Sequence, residues 1–213
     1  MGYSKRKDGW VYRWTENGKQ KTRYIGNESA LRKFKKEQEG NLEKPHVTHN
    51  NGNNEWYTPP AFILAARKVM GSIDVDPASS EKANQIVGAT TFYTVKDDGR
   101  LKVWDGSVWL NPPYAQPLIS DFCELLLKKY WNKEVIQACV LINNATETNF
   151  YQQLANSCSA ICLIKGRVKF LDEKGNEGAP LQGQNVLYFG DDYMRFAQVF
   201  SQFGVVLYAD KKG

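Results

Sequence analysis

A chain of 213 residues with 42% hydrophobic and 24% charged residues can bury one full α/β core beside a small appended module, and it excludes both two large domains and a mostly disordered chain. No apolar run is long enough to cross a bilayer and no N-terminal stretch has the order of a signal peptide, so a cytoplasmic protein without a membrane partner is expected. The formal charge of +5 is uneven: Met1 to Thr48 carries twelve Lys and Arg against six Asp and Glu, whereas the rest carries sixteen against seventeen.

In the basic segment, Trp10-Val11-Tyr12-Arg13-Trp14 and Thr22-Arg23-Tyr24-Ile25 flank the turn signal Glu16-Asn17-Gly18, which predicts a β-hairpin. Ser29 is the expected cap of a helix from Ala30 to Glu39, in which only Leu31 and Phe34 are available to bury. Apolar residues nearly vanish from Gly40 to Asn54, so residues 1–40 read as a small basic module, 41–54 as a linker and 55–213 as the main domain. Beyond the linker, short apolar runs alternate with segments of helical period. Strands are predicted at Ser72 to Val75, Val108 to Leu110, Val135 to Ile142, Ala160 to Lys165, Val186 to Phe189 and Val205 to Tyr208. Helices are predicted at Pro60 to Met70, Pro117 to Trp131, Asn149 to Ser157 and Tyr193 to Phe203. This order implies a layered α/β sheet. Cys123, Cys139, Cys158 and Cys162 lie in or beside apolar segments with no CxxC pair, which predicts buried thiols. His46 and His49 have no cysteine near them, and no metal site is expected.

In such sheets chemistry gathers where loops leave the carboxyl ends of strands. Two loops qualify, Asp76-Pro77-Ala78-Ser79-Ser80 and Asn111-Pro112-Pro113-Tyr114. Adjacent prolines remove two backbone donors and hold the preceding residue extended, which leaves a rigid loop rich in acceptors. The side-chain carbonyl of Asn111 and the main-chain carbonyl of Pro112 can both accept from one NH2 group. A base amine delocalises its lone pair into the ring; two acceptors favour a more tetrahedral nitrogen, and alignment with the methyl sulfonium of S-adenosylmethionine supplies proximity. No strong general base is needed. Tyr114 can stack on a base that has left its duplex. The tetrapeptide equally suits a tight turn anchored by an aromatic.

Several motifs recur together in one order: Glu55-Trp56-Tyr57-Thr58-Pro59-Pro60, Asp74-Val75-Asp76-Pro77-Ala78-Ser79, Asp97-Asp98-Gly99, Val108 to Tyr114, Asn143-Asn144-Ala145-Thr146-Glu147-Thr148, Gly166 to Phe170, and Gly183-Gln184 with Tyr188-Phe189-Gly190. Across about Asn54 to Tyr208 the chain thereby resembles the phage adenine-N6 DNA methyltransferases, the Dam-like enzymes of phages and prophages. The resemblance implies a Rossmann-like sheet binding S-adenosylmethionine, a flipped adenine in double-stranded DNA as substrate, and a bacterial host cytoplasm. It implies catalytic roles for Asn111, Pro112, Pro113 and Tyr114. It implies donor contacts at Trp56, Thr58, Pro59, Asp74, Asp76, Pro77, Ala78 and Asp98. The carboxylates also suit helix caps or solvated turns.

DNA contacts are expected from Arg13, Lys19, Lys21 and Arg23, where cations interleave with aromatics as phosphate neutralisation requires; this hairpin is similar to the small arm-binding sheets of phage integrases. Asn143 and Asn144 can read base edges, with Thr146 also a candidate helix cap, and Arg167 and Lys169 alternate with Val168 and Phe170 on an outward basic side. Three other readings stay open at this point. The loop fits cytosine N4 or a protein glutamine amide as well as adenine N6. The absence of glycine from Asp76 to Asn84 also suits a DNA-binding protein without donor binding. Either a monomer or a weak dimer is compatible with the chain.

Overall fold

The computed structural model describes residues 2–16, 19–32, 34, 56–172, 174–178 and 182–208. The expected Asn17-Gly18 turn, the far part of the helix toward Glu39, the linker 41–54 and both histidines lie outside the described residues. The chain divides into two units, Met1–Asn54 and Glu55–Gly213.

In the first unit the expected hairpin gains a third strand. β1 (Gly2–Arg6), β2 (Gly9–Glu16) and β3 (Lys19–Gly26) pair antiparallel in that order. The polar β1 has no hydrophobic period to announce it. What permits the turn into β2 is Gly9, at φ 145°, where a Cβ would stand 2.3 Å from Gly26 O. The following helix, α1, described over residues 28–32 and 34, begins earlier than expected because Asn27 Oδ1 accepts from Ala30 N at 3.0 Å; Asn27 and not Ser29 is the cap. Val11 of β2 and Leu31 and Phe34 of the helix are the buried apolar side chains of this unit among the described residues.

The second unit is a mixed α/β domain. Its sheet holds β4 (Val75–Asp76), β5 (Thr91–Phe92), β6 (Gly106–Leu110), β7 (Val135–Asn143), β8 (Ala160–Ile164), β9 (Gln184–Phe189) and β10 (Gly204–Tyr208), ordered β10-β8-β9-β7-β6-β4-β5. β5, β4, β6 and β7 are parallel, and β9 lies antiparallel between β7 and β8. Ahead of β4, Ile73 and Asp74 already bond to both neighbouring strands through main-chain groups.

Period two decides which layer each strand residue joins. Trp109, Cys139, Leu141, Val186 and Tyr188 pack under α2 (Pro60–Met70) and α6 (Tyr193–Phe200). Their alternates Val108, Leu110, Val140, Ile142, Leu187 and Phe189 pack under α4 (Leu118–Trp131) and α5 (Asn149–Ser157). All four cysteines are buried and free, as composition predicts. α6 stops three residues short of the predicted Phe203. Two elements escape the pattern entirely. The two-residue β5 is too short for any period, and α3 (Glu81–Val87) buries only Val87, so its signal is the cap, Ser80 Oγ accepting from Ala83 N at 3.1 Å. No described helix is long and apolar enough to cross a membrane.

Candidate active site

Asn111 follows the last residue of β6, at the carboxyl edge of the parallel strands. Trp109 sits in the α2–α6 core, so Asn111, two residues on, continues that face. Both ends of its amide are held: Nδ2 donates to Thr58 Oγ1 at 3.3 Å, and Oδ1 accepts from the Tyr114 hydroxyl at 2.9 Å. Oδ1 keeps a second lone pair. Pro112 is buried and Pro113 exposed. Tyr114 as a residue is 37% exposed, yet its hydroxyl turns inward, also reaching Leu141 O at 3.4 Å; burial of that end pushes the phenol well above the usual range. Its ring meets Phe170 edge-on, 6.5 Å between centroids.

Thr58 is brought here by a main-chain clamp. Tyr57 and Leu171 exchange both N–H···O bonds, and the Trp56 ring packs so closely on Gly178 that a Cβ there would stand 1.9 Å from it. Pro59 then starts α2 from outside its first turn.

The neighbouring loop follows β4. Val75 joins the α4–α5 core, so Asp76 faces the other side of the sheet, the side of Asn111. Asp76 is buried, and burial raises its carboxyl to about 6 despite the opposing bond from Ala78 N at 3.2 Å. Ser79 Oγ is near enough to favour the charged carboxylate but lacks hydrogen-bond geometry, so this buried hydroxyl has no hydrogen-bond partner among the described residues. Gly99 packs directly on Pro77, where a Cβ would come within 1.9 Å of Pro77 O. The segments 76–79 and 97–99 therefore form one wall.

Two expected donor carboxylates are already engaged. Asp74 accepts from Ser72 Oγ at 2.9 Å and from Ser107 N at 2.7 Å, level with the start of β6 and away from the edge where Asn111 stands. Asp98 caps the 3-10 turn Gly99–Leu101 and takes both Nε and Nη2 of Arg100 at 2.8 Å, while Arg100 Nη1 reaches Asp121 Oδ2 at 2.6 Å on α4. Arg100 holds the Asp98 carboxyl below the ordinary carboxylate range and ties this turn to α4. Every oxygen of these two carboxylates thus already accepts from a donor within the chain.

The same alternation separates Asn143 from Asn144. Asn143 follows Leu141 on the α2–α6 face and accepts from Gln184 Nε2 at 3.2 Å. Asn144 accepts from Asn185 Nδ2 at 3.3 Å, and Asn185 also donates to the Tyr151 hydroxyl of α5, on the opposite face. Gln184 and Asn185 are buried polar residues to which the sequence reading gives no role of their own; their signal is two adjacent amides opening an otherwise apolar strand. Thr146 does not cap α5: Thr148 occupies that position. Arg167 and Lys169 are exposed and Val168 and Phe170 buried, as alternation predicts, but the segment is not a paired strand and Lys169 forms an ion pair with Glu177 at 2.6 Å.

In the first unit the register divides the expected basic patch. Tyr12 pairs with Arg23 and Arg13 with Thr22, so Lys19, Lys21 and Arg23 share one face of the three-stranded sheet and Arg13 lies on the other. The Arg23 guanidinium rests on the Phe34 ring, 5.3 Å from its centroid. No group of described residues has the composition of a metal site.

This mixed α/β domain thus sets an amide and two prolines at the end of a central parallel strand, on a sheet edge that also carries a buried carboxylate. The model of the family described as DNA N-6-adenine-methyltransferase (Dam) matches residues 46–199, and the chain belongs to that family. No curated protein matches the chain.

Proposed function

We propose that the chain transfers a methyl group from S-adenosylmethionine to N6 of an adenine flipped out of double-stranded DNA. The observation that carries this reading is Asn111, whose amide is fixed by Thr58 and Tyr114 at the edge of the sheet with a lone pair of Oδ1 left over. That lone pair and the Pro112 carbonyl accept from the two protons of the adenine amine and turn its nitrogen toward the electrophile. Tyr114 offers its exposed ring as a platform for the base.

The residues around Asp76 fit the methyl donor. A buried carboxylate without an ion pair, a buried Ser79 hydroxyl without a hydrogen-bond partner, both among the described residues, and a wall closed by Gly99 suit an ammonium group and ribose hydroxyls. Asp76, Pro77, Ala78, Thr58 and Pro59 would hold it, with Trp56 behind them; Asp74 and Asp98 serve the fold. The bound sulfonium supplies an already activated methyl group, so the chain's own residues need only orient the amine and exclude water. Lys19, Lys21 and Arg23 contact phosphate from the first unit.

Asn111→Ala is the test. The variant is expected to lose methyl transfer to DNA by 100-fold or more, on the scale of about 3 kcal/mol for removal of one transition-state hydrogen bond, while calorimetry shows S-adenosylmethionine binding nearly unchanged. Sustained turnover by the variant sinks the mechanism, and absence of donor binding by the wild type sinks the enzyme reading. Nucleoside mass analysis of the modified DNA distinguishes N6-methyladenine from N4-methylcytosine.

A further inference from the structure

The amides where β7 ends and β9 begins carry a polarity that main-chain groups dictate. Gln184 is only 3% exposed. Val168 N donates to its Oε1 at 3.3 Å, and its Nε2 donates to Gln182 O at 2.8 Å. Flipping this amide would set N–H against N–H and carbonyl against carbonyl, so its orientation is determined. The second Nε2 proton goes to Asn143 Oδ1 at 3.2 Å. Asn143 therefore turns its oxygen inward, and its Nδ2, without a partner among the described residues, is left as a double donor.

The direction of that donor follows from the pleat. Trp109, Leu141 and Val186 share the α2–α6 core, and each stands two residues from Asn111, Asn143 and Gln184 respectively. All three amides therefore lie on one face at one edge of the sheet. Leu110 pairs with Val140, which sets Asn111 beside Leu141, and Asn143 is two residues farther along β7, roughly 7 Å at strand spacing. Asn144, Asn185 and Tyr151 belong to the other face.

We propose that Asn143 is a specificity residue: its Nδ2 donates to a ring nitrogen flanking the amine of the target adenine, and Gln184 is the positioning residue that keeps Nδ2 outward. The proposal rests on Asn111 and Pro112 being the acceptors of that amine. Adenine carries acceptor nitrogens, N1 and N7, on the two sides of its amino group. Guanine or thymine presented by its Watson–Crick edge sets a ring N–H against the Asn143 amide, donor against donor, and is rejected.

The test pairs protein and substrate atoms. Wild type, Asn143→Ala and Gln184→Met are assayed on duplexes carrying adenine, 1-deazaadenine or 7-deazaadenine at the adenine that the wild type methylates. One analogue is expected to cost the wild type about 10-fold in kcat/KM, the scale of one hydrogen bond. Asn143→Ala and Gln184→Met are expected to lose about the same on adenine and nothing further on that analogue. Asn143→Asp, an acceptor only, is expected to be slower than Asn143→Ala. Asn143 is partly exposed, so its variants carry the test if Gln184→Met does not fold. Losses that simply add for both analogues overturn the assignment and leave the proposed function standing. A wild type that methylates no adenine overturns the proposed function instead.

Discussion

Asp76→Asn is expected to stabilise the protein at neutral pH and to flatten part of its pH dependence. Asp76 is 3% exposed, and burial raises its carboxyl from 3.8 to about 6. The gap of roughly 2 pKa units corresponds to about 3 kcal/mol. The sign is opposite to that of a salt-bridged carboxylate. Below about pH 4 folded and unfolded chains both hold the proton, so burial costs nothing extra. Between about pH 4 and pH 6 the folded chain keeps a proton that the unfolded chain has released, and stability falls as pH rises; above about pH 6 the loss is complete. Replacement by the neutral isostere removes that loss. Urea denaturation of both proteins at pH 4 and pH 7.5 measures it: the variant should match the wild type within about 1 kcal/mol at the lower pH and exceed it by up to about 3 kcal/mol at the higher. A variant less stable than the wild type at pH 7.5, or a difference that does not change with pH, refutes the reasoning. The same substitution should weaken S-adenosylmethionine binding, which separates the electrostatic role of Asp76 in the free protein from its role toward the donor.

Gly99→Ala places a Cβ 1.9 Å from Pro77 O, a main-chain atom that cannot swing aside, so a drop of about 1–3 kcal/mol in stability and weaker donor binding are expected, read by thermal melting and calorimetry. An unchanged melting temperature would show that the 76–79 and 97–99 segments are not locked together. Replacing Lys19, Lys21 and Arg23 together by Ala should reduce the slope of log affinity for DNA against log salt by about 0.9 for each phosphate that is no longer neutralised, whereas Arg13→Ala, on the other face of the three-stranded sheet, should leave it unaltered. Equal effects from the two faces would contradict that division of the basic patch.

Much of the fold was legible because its signals are local. The continuous apolar runs of β6, β7 and β9, buried on both faces, are long enough to stand out in the sequence, and α2 and α5 begin and end where Pro60, Asn149 and their apolar stripes place them. The Asn111 loop was legible for the same reason: two prolines after an apolar strand constrain their own backbone wherever they occur. β1, β5 and α3 were not, since two are too short or polar to carry a period and the third buries a single residue.

Side-chain roles divided along the same line. From the order of residues, Asp74, Asp76 and Asp98 are three similar carboxylates beside small residues. Folding engages Asp74 with Ser72 and Ser107, pairs Asp98 with Arg100, and buries Asp76 without an ion pair among the described residues. Asn143 and Asn144 are likewise equivalent as letters, yet the pleat sends one to the face of Asn111 and the other to α5. Chain order suffices for backbone preference, which each residue and its neighbours set. Which polar atom remains unpaired depends on partners tens of residues away, such as Gln184 for Asn143, and those meet only when the sheet assembles.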